Sequence, residues 1–314
     1  MLPLSSPMVL VSPPTVLVSA SELLVIAFAF ITLLGDAWFV LVGLAALYWI
    51  GPRYVDDARA VAAVCVGLAT LGLAAVLALK SATAIPRPAM TPVDPSGLPL
   101  LLESFVGGEI QSDGFTFPSG HATAATVVYG GLGLLLSVGR KRLRYAFAAG
   151  MIVLISLSRV VLEVHYPRDI IAGMVLGSLL IAVGLAVGRT KGRFHPDRVF
   201  ALGGIVSVIG LGVALQGGHT EEVLQGAIGI GTATGGVITW RQFGDRLVDA
   251  PPVSLPLALA GLVVAGGLWI AGYAGVLSAA GAVAASAAAV GCILLLPLLA
   301  ERRYKKGKSE TVEA

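Results

Sequence analysis

Apolar stretches of about 17–25 residues recur along almost the whole chain, and each is long enough for a helix to cross roughly 30 Å of hydrocarbon. Of the 314 residues 56% are hydrophobic and 12% charged, with a mean hydropathy of +0.90. That is far too little polar surface to cover a water-soluble globule. The pattern predicts an all-α polytopic membrane protein, a helical bundle of nine or ten transmembrane segments. They run over about 37–50, 58–79, 122–138, 145–162, 170–187, 199–215, 223–240, 253–271 and 276–299, with a short or re-entrant piece at 21–34 interrupted by Gly35-Asp36. Forty glycines fit helices whose backbones approach closely in lipid. Residues 1–20, broken by Ser-Pro and Pro-Pro pairs and lacking a basic start, read as a surface arm rather than a secretory signal. Cys65 and Cys292 lie in separate apolar segments and read as small core residues, not as a disulfide or a thiolate metal site.

Lysine and arginine accumulate in short cytoplasmic loops of membrane proteins. Threading the segments in order places seventeen of the 21 basic residues on one side, in the groups Arg53–Arg59, Arg140–Arg144, Arg189–Arg198, Arg241–Arg246 and Arg302–Lys308. The carboxyl terminus is therefore expected in the cytoplasm, with 301–314 a basic tail. A formal charge of +3 distributed in this way implies no nucleic-acid partner. The four remaining cations, Lys80, Arg87, Arg159 and Arg168, fall on the opposite side, each in or beside a polar cluster, and call for an anion there.

The first cluster is Lys80 with Arg87-Pro88. Prolines on both sides of Arg87 restrict the backbone, and a guanidinium matches phosphate oxygens bidentately. The second is Pro118-Ser119-Gly120-His121, in which Ser119 suits an N-cap, the new helix start attracts an anion and His121 can serve as general acid. The third is Ser158-Arg159 followed by His165 and Asp169. Across the helix start near Pro167, the Asp169 carboxylate can orient the His165 ring and leave its other nitrogen free as a nucleophile. Each cluster alone has an ordinary explanation: snorkelling cations, a capped helix with an incidental histidine, a helix-start acid. Together they describe a phosphate-handling site with no cofactor and no metal, since the cations beside the histidines and Asp169 would repel a divalent ion. His195 and His219 have no such company and read as loop residues.

Taken in order, K-x6-R-P, P-S-G-H and S-R-x5-H-x3-D resemble the signature of the type 2 phosphatidic acid phosphatase superfamily, which also includes bacterial acid phosphatases and vanadium haloperoxidases. The resemblance covers roughly residues 21 to 188. It implies a phosphatase membrane core of about six helices over 21–190, in front of a four-helix membrane region of unassigned role over 191–300. It further implies that His165 attacks phosphorus and becomes phosphorylated while Asp169 holds its ring. His121 would protonate the leaving group, and Lys80, Arg87, Arg159, Ser119 and Gly120 would bind the phosphoryl oxygens. The implied substrate is a lipid phosphate or polyprenyl diphosphate, taken at the extracytoplasmic face among membrane lipids. The apolar run Leu98–Leu102 can guide a lipid tail or serve as loop packing, and the acidic residues Asp94, Glu103, Glu109 and Asp113 disfavour a highly charged soluble anion. Two other readings remain at this point: a transporter or lipid-handling protein that binds phosphate headgroups without hydrolysis, and a vanadate-dependent peroxidase, against which the hydropathy argues.

Overall fold

The computed structural model describes residues 19–89, 95, 98–110 and 114–312, with side chains through Glu301. The expected arm at 1–20 falls almost wholly outside these residues, as do Asp94 and Asp113. So do the side chains of the basic tail, whose backbone continues the last helix to Val312.

Helix α1 (Ala20–Thr32) starts with a reciprocal cap: Ser19 Oγ accepts from the Glu22 amide at 3.2 Å, and the Ser19 amide donates to the Glu22 carboxylate. A single 3-10 turn, Leu33–Gly35, ends it, and α2 (Ala37–Ile50) resumes after Asp36 at a bend of 50°. Helix α3 (Ala58–Thr83) is the hub, buried along most of its length. It stops at Ala84, whose left-handed φ of 48° turns the chain into Ile85-Pro86. After a short helix, α4 (Leu100–Ile110), the chain returns: Thr116 N donates to Ile85 O at 2.9 Å and Pro86 bridges to Phe115.

The P-S-G-H segment opens a helix of sixteen residues in three parts: α5 (Gly120–Ala125), a π turn over Thr126–Gly130, and α6 (Gly131–Leu135). Helices α7 (Lys141–Val161) and α8 (Pro167–Gly188) complete the site-bearing set. Among the described residues the helices are joined by a short hairpin of two two-residue strands, β1 (Arg189–Thr190) with β2 (Arg193–Phe194), closed through Lys191 and Gly192 at positive φ.

Helices α9 (Pro196–Gly217), α10 (Thr220–Asp249), α11 (Leu255–Tyr273) and α12 (Ala279–Val312) follow. Glycines set their spacing. A Cβ at Gly203 would lie 3.2 Å from the Leu71 amide nitrogen of α3, and one at Gly235 would lie 2.4 Å from Ala287 O of α12.

Among the described residues six helices are long and apolar enough to span a membrane: α3, α7, α8, α9, α11 and the Ala279–Glu301 part of α12. The bent pair α1–α2 makes a seventh if it is one span. The chain is thus a multi-pass helical membrane protein. Two segments expected as crossings form helices outside this set: 122–138 because its helix is only sixteen residues long, and 223–240 because α10 is rich in glycine and threonine. Arg59, expected among loop cations, is instead 1% exposed in the first turn of α3.

Candidate active site

The ends of α3 and α7, the starts of α5 and α8 and the 85–117 connection meet in one place. His165 lies between α7 and α8 and is 4% exposed. Its Nδ1 is 3.5 Å from Asp169 Oδ2, long for a direct hydrogen bond. Thr116 fills the gap: its hydroxyl donates to Asp169 Oδ2 at 2.5 Å and stands 2.9 Å from His165 Nδ1. With that hydroxyl proton committed to the carboxylate, Oγ1 accepts from Nδ1–H. The ring is thereby fixed in the tautomer that leaves a lone pair on Nε2. Nothing in the sequence singled out Thr116.

Asp169 Oδ2 also accepts from the Tyr166 amide at 2.9 Å, so the carboxylate caps its own helix and orients the histidine through the threonine. Its backbone carbonyl accepts from the Ser119 amide at 3.1 Å, which ties the third cluster to the second. Arg87 donates to Val164 O at 3.1 Å, and the same nitrogen stands 3.5 Å from His165 Nε2. A cation therefore borders the nitrogen that carries the lone pair. Burial, and then the charges of Arg87, Arg159 and Lys80, hold His165 far below the usual histidine range, so it stays neutral at ordinary pH.

Ser119 is buried at the N-cap of α5, and its Oγ accepts from the Ala122 amide at 3.4 Å. A Cβ on the next residue, Gly120, would meet only Val76 at an ordinary 3.7 Å. No protein atom requires a glycine there, which leaves room for a ligand against the backbone. Arg159, in the last turn of α7, donates to Thr32 Oγ1 at 2.7 Å and Glu109 Oε2 at 3.1 Å, while its Nε has no partner among the described residues. Burial and the nearby Asp36 raise the Glu109 carboxyl above its usual range, against the opposing pull of Arg159. Lys80, in the last turn of α3, lies within electrostatic reach of Arg87, Arg159, Asp169 and Glu222. Glu222 comes from α10, so the carboxyl-terminal helices reach this site. So does His219, expected as an isolated loop residue: its ring stands edge-on to Phe115 at 4.7 Å. His121 Nε2 is 2.8 Å from Asp36 Oδ1. Arg168, the fourth of the expected outward cations, is exposed 3.7 Å from Asp169 and stacks on Tyr166.

Glycines on α8 fix the register of the two histidine-bearing segments. A Cβ at Gly173 would lie 2.7 Å from Ser119 O and 3.0 Å from Ala122 Cβ, and one at Gly177 would lie 2.6 Å from Thr126 Cβ. Gly173→Ala must push α8 off α5. Overpacking of this kind costs about 1–3 kcal/mol, and a shift near 1 Å between reacting groups costs about 100-fold in rate. Whatever turnover the site supports should fall by about that factor in a protein that still folds, read by turnover and thermal melting in detergent. Wild-type turnover would show that the α5–α8 contact does not set the site.

These features define a class: a polytopic helical membrane protein with a cluster of cations around two histidines, each with a carboxylate beside it. Residues 60–193, which hold all three clusters, match the family model of the PAP2 superfamily. Similar curated proteins include phosphatidylglycerophosphatase B of Bacillus subtilis (strain 168), 35% identical over 77 residues that make up 23% of this chain and 38% of that protein. Lipid A 1-phosphatase of Rhizobium johnstonii is 40% identical over 85 residues, 26% of this chain and 33% of that protein. Its counterpart from Rhizobium etli is 41% identical over 85 residues, covering 26% and 34%. The matches span a third or slightly more of each relative's length. No solved structure matches the chain significantly.

Proposed function

We propose that the chain is an integral membrane phosphatase that hydrolyses a lipid phosphate or polyprenyl diphosphate through a phosphohistidine, without a metal ion, at the extracytoplasmic face. The observation that carries this is the relay from Asp169 through Thr116 to His165 Nδ1, which turns a neutral Nε2 toward Arg87. In the first step the Nε2 lone pair bonds to phosphorus, and the bond from phosphorus to the leaving oxygen breaks with its electron pair. His121 gives that oxygen a proton. In the second step His121 takes a proton from water, whose oxygen bonds to phosphorus as the P–N bond breaks. Lys80, Arg87, Arg159 and the backbone at Ser119 and Gly120 neutralise the nonbridging oxygens throughout. The cations do the work that a divalent ion does in other phosphoryl-transfer sites.

The similar proteins are named for lipid phosphates, and this supports a lipid-anchored substrate. So does the layer beside Arg159, where Phe30 of α1 packs on Phe105 of α4 with ring centroids 4.8 Å apart while Leu23, Leu24, Leu100 and Leu101 stay exposed. Such a surface suits acyl chains better than water. The sidedness rests on the distribution of lysine and arginine, and the division into a 21–190 core and a 191–300 extension on the position of the motifs. Detergent-solubilised protein should release phosphate from diacylglycerol phosphate or a polyprenyl diphosphate in EDTA, and millimolar orthovanadate, a mimic of five-coordinate phosphorus, should inhibit it. Activity lost in EDTA and restored by magnesium, or indifference to vanadate, would contradict the mechanism.

A further inference from the structure

Asp36 occupies the extended residue before α2 (φ −67°, ψ 141°), the position from which an aspartate ordinarily accepts a first-turn amide. Its carboxylate makes no such bond. It accepts instead from Trp38 Nε1 at 3.1 Å and faces His121 Nε2 at 2.8 Å. The helix break that carries it is clasped to the His121 helix on its other side as well, where Tyr129 OH donates to Leu34 O at 2.7 Å. Gly35 brings the backbone against the imidazole: a Cβ there would lie 3.1 Å from His121 Cδ2 and 2.5 Å from Ile155 Cγ2. The break between α1 and α2 thus gives up an ordinary cap to place a carboxylate on a histidine.

His121 needs one. Burial, and then the charges of Arg159, Lys80 and Arg87, from α7, α3 and the following connection, hold it well below the usual histidine range, yet an imidazole must hold a proton to act as an acid. A carboxylate within hydrogen-bond reach of one ring nitrogen offsets that field and fixes the ring, leaving the other nitrogen for the leaving oxygen. We infer that Asp36 is the positioning residue of the general acid, holding His121 oriented and protonated for leaving-group departure. The inference rests on the proposed phosphatase reading and deepens it. It also gives the break at residues 33–36 a chemical purpose that none of the three motifs supplies.

The test compares two leaving groups by kcat/KM, which reads through the first phosphoryl transfer. The alcohol of diacylglycerol phosphate leaves only with a proton, whereas p-nitrophenolate leaves without one. Asp36→Asn should lower kcat/KM on diacylglycerol phosphate by about 10–100-fold and on p-nitrophenyl phosphate by less than about 3-fold, the selectivity expected of lost acid catalysis. Asp36→Glu, which keeps the charge but displaces it, should show the same selectivity with a smaller loss, and it carries the comparison if the asparagine variant does not fold. Equal losses on both substrates, no loss, or a gain in rate would overturn the assignment, a gain marking Asp36 as an obstruction to the pocket. Wild-type protein that releases phosphate from neither substrate would instead fail the phosphatase reading itself, and the role of Asp36 with it.

Discussion

Replacing His165 with alanine is expected to abolish the proposed phosphate release, by about a thousand-fold or more, while the protein remains folded. The size follows from the residue's position in the sequence of events. In the proposed mechanism no covalent intermediate forms without Nε2, and the remaining cations bind a phosphoryl group without offering it a nucleophile. The small effect on stability follows from its surroundings. The ring is held by the Thr116 hydroxyl and bordered by Arg87, and when it is removed Thr116 still donates to Asp169 while Asp169 still accepts from the Tyr166 amide. No charge loses its partner, so the loss is one of chemistry. Turnover on diacylglycerol phosphate, with a thermal melt of the same sample, separates the two. Release that continues unchanged in a folded His165→Ala protein would end the enzymatic reading and return the cationic pocket to headgroup binding alone.

Thr116 marks the limit of what the sequence displays. The His165–Asp169 spacing of four was legible as a dyad because both residues sit at one helix start. The hydroxyl between them comes from a connection some fifty residues earlier, aligned only by the Ile85–Thr116 and Pro86–Phe115 contacts, and one threonine carries no periodic or compositional signal. Asp36 was visible only as an interruption, since its partner lies 85 residues away. Glu109 and Thr32, which hold Arg159, were hidden for the same reason. What local chemistry writes into adjacent residues was readable: the Ser119 cap, the break at Gly35-Asp36 and the placement of Lys80 and Arg159 in last turns. Helix α10, read from the sequence as a crossing over 223–240, falls outside the six spans because it packs by small residues against backbone. Gly231 and Gly235 face carbonyls of α12, and Gly236 faces the Phe200 ring, so small residues stand where leucines would mark a lipid-facing helix.

Arg59 yields the largest expected loss of stability. A sequence rule that assigns arginines near helix ends to the cytoplasmic surface places it in water, yet its guanidinium is buried and has no carboxylate partner among the described residues. It donates to five carbonyls: Leu247 O at 2.7 Å, Ala250 O at 2.6 Å, Pro251 O at 3.2 Å, Tyr48 O at 3.3 Å and Val248 O at 3.4 Å. Most belong to the end of α10 and the turn after it, where a helix leaves its last carbonyls without partners and its dipole turns negative. A planar fork serves several acceptors at once, so one residue of α3 closes the end of a helix some 190 positions later. Neighbouring contacts repeat the connection: Trp49 Nε1 donates to Ile293 O at 2.8 Å, Tyr48 OH to Leu294 O at 3.1 Å and Arg53 to Val253 O at 3.0 Å. Arg59→Met fills similar space but leaves those carbonyls unmet at about 1–3 kcal/mol each. Melting in detergent should fall by on the order of 10 °C, with Arg59→Lys in between because it keeps the charge and loses the fork. His165→Ala serves as the stable control, and an Arg59→Met protein that melts with it would show that water, rather than this guanidinium, satisfies the end of α10.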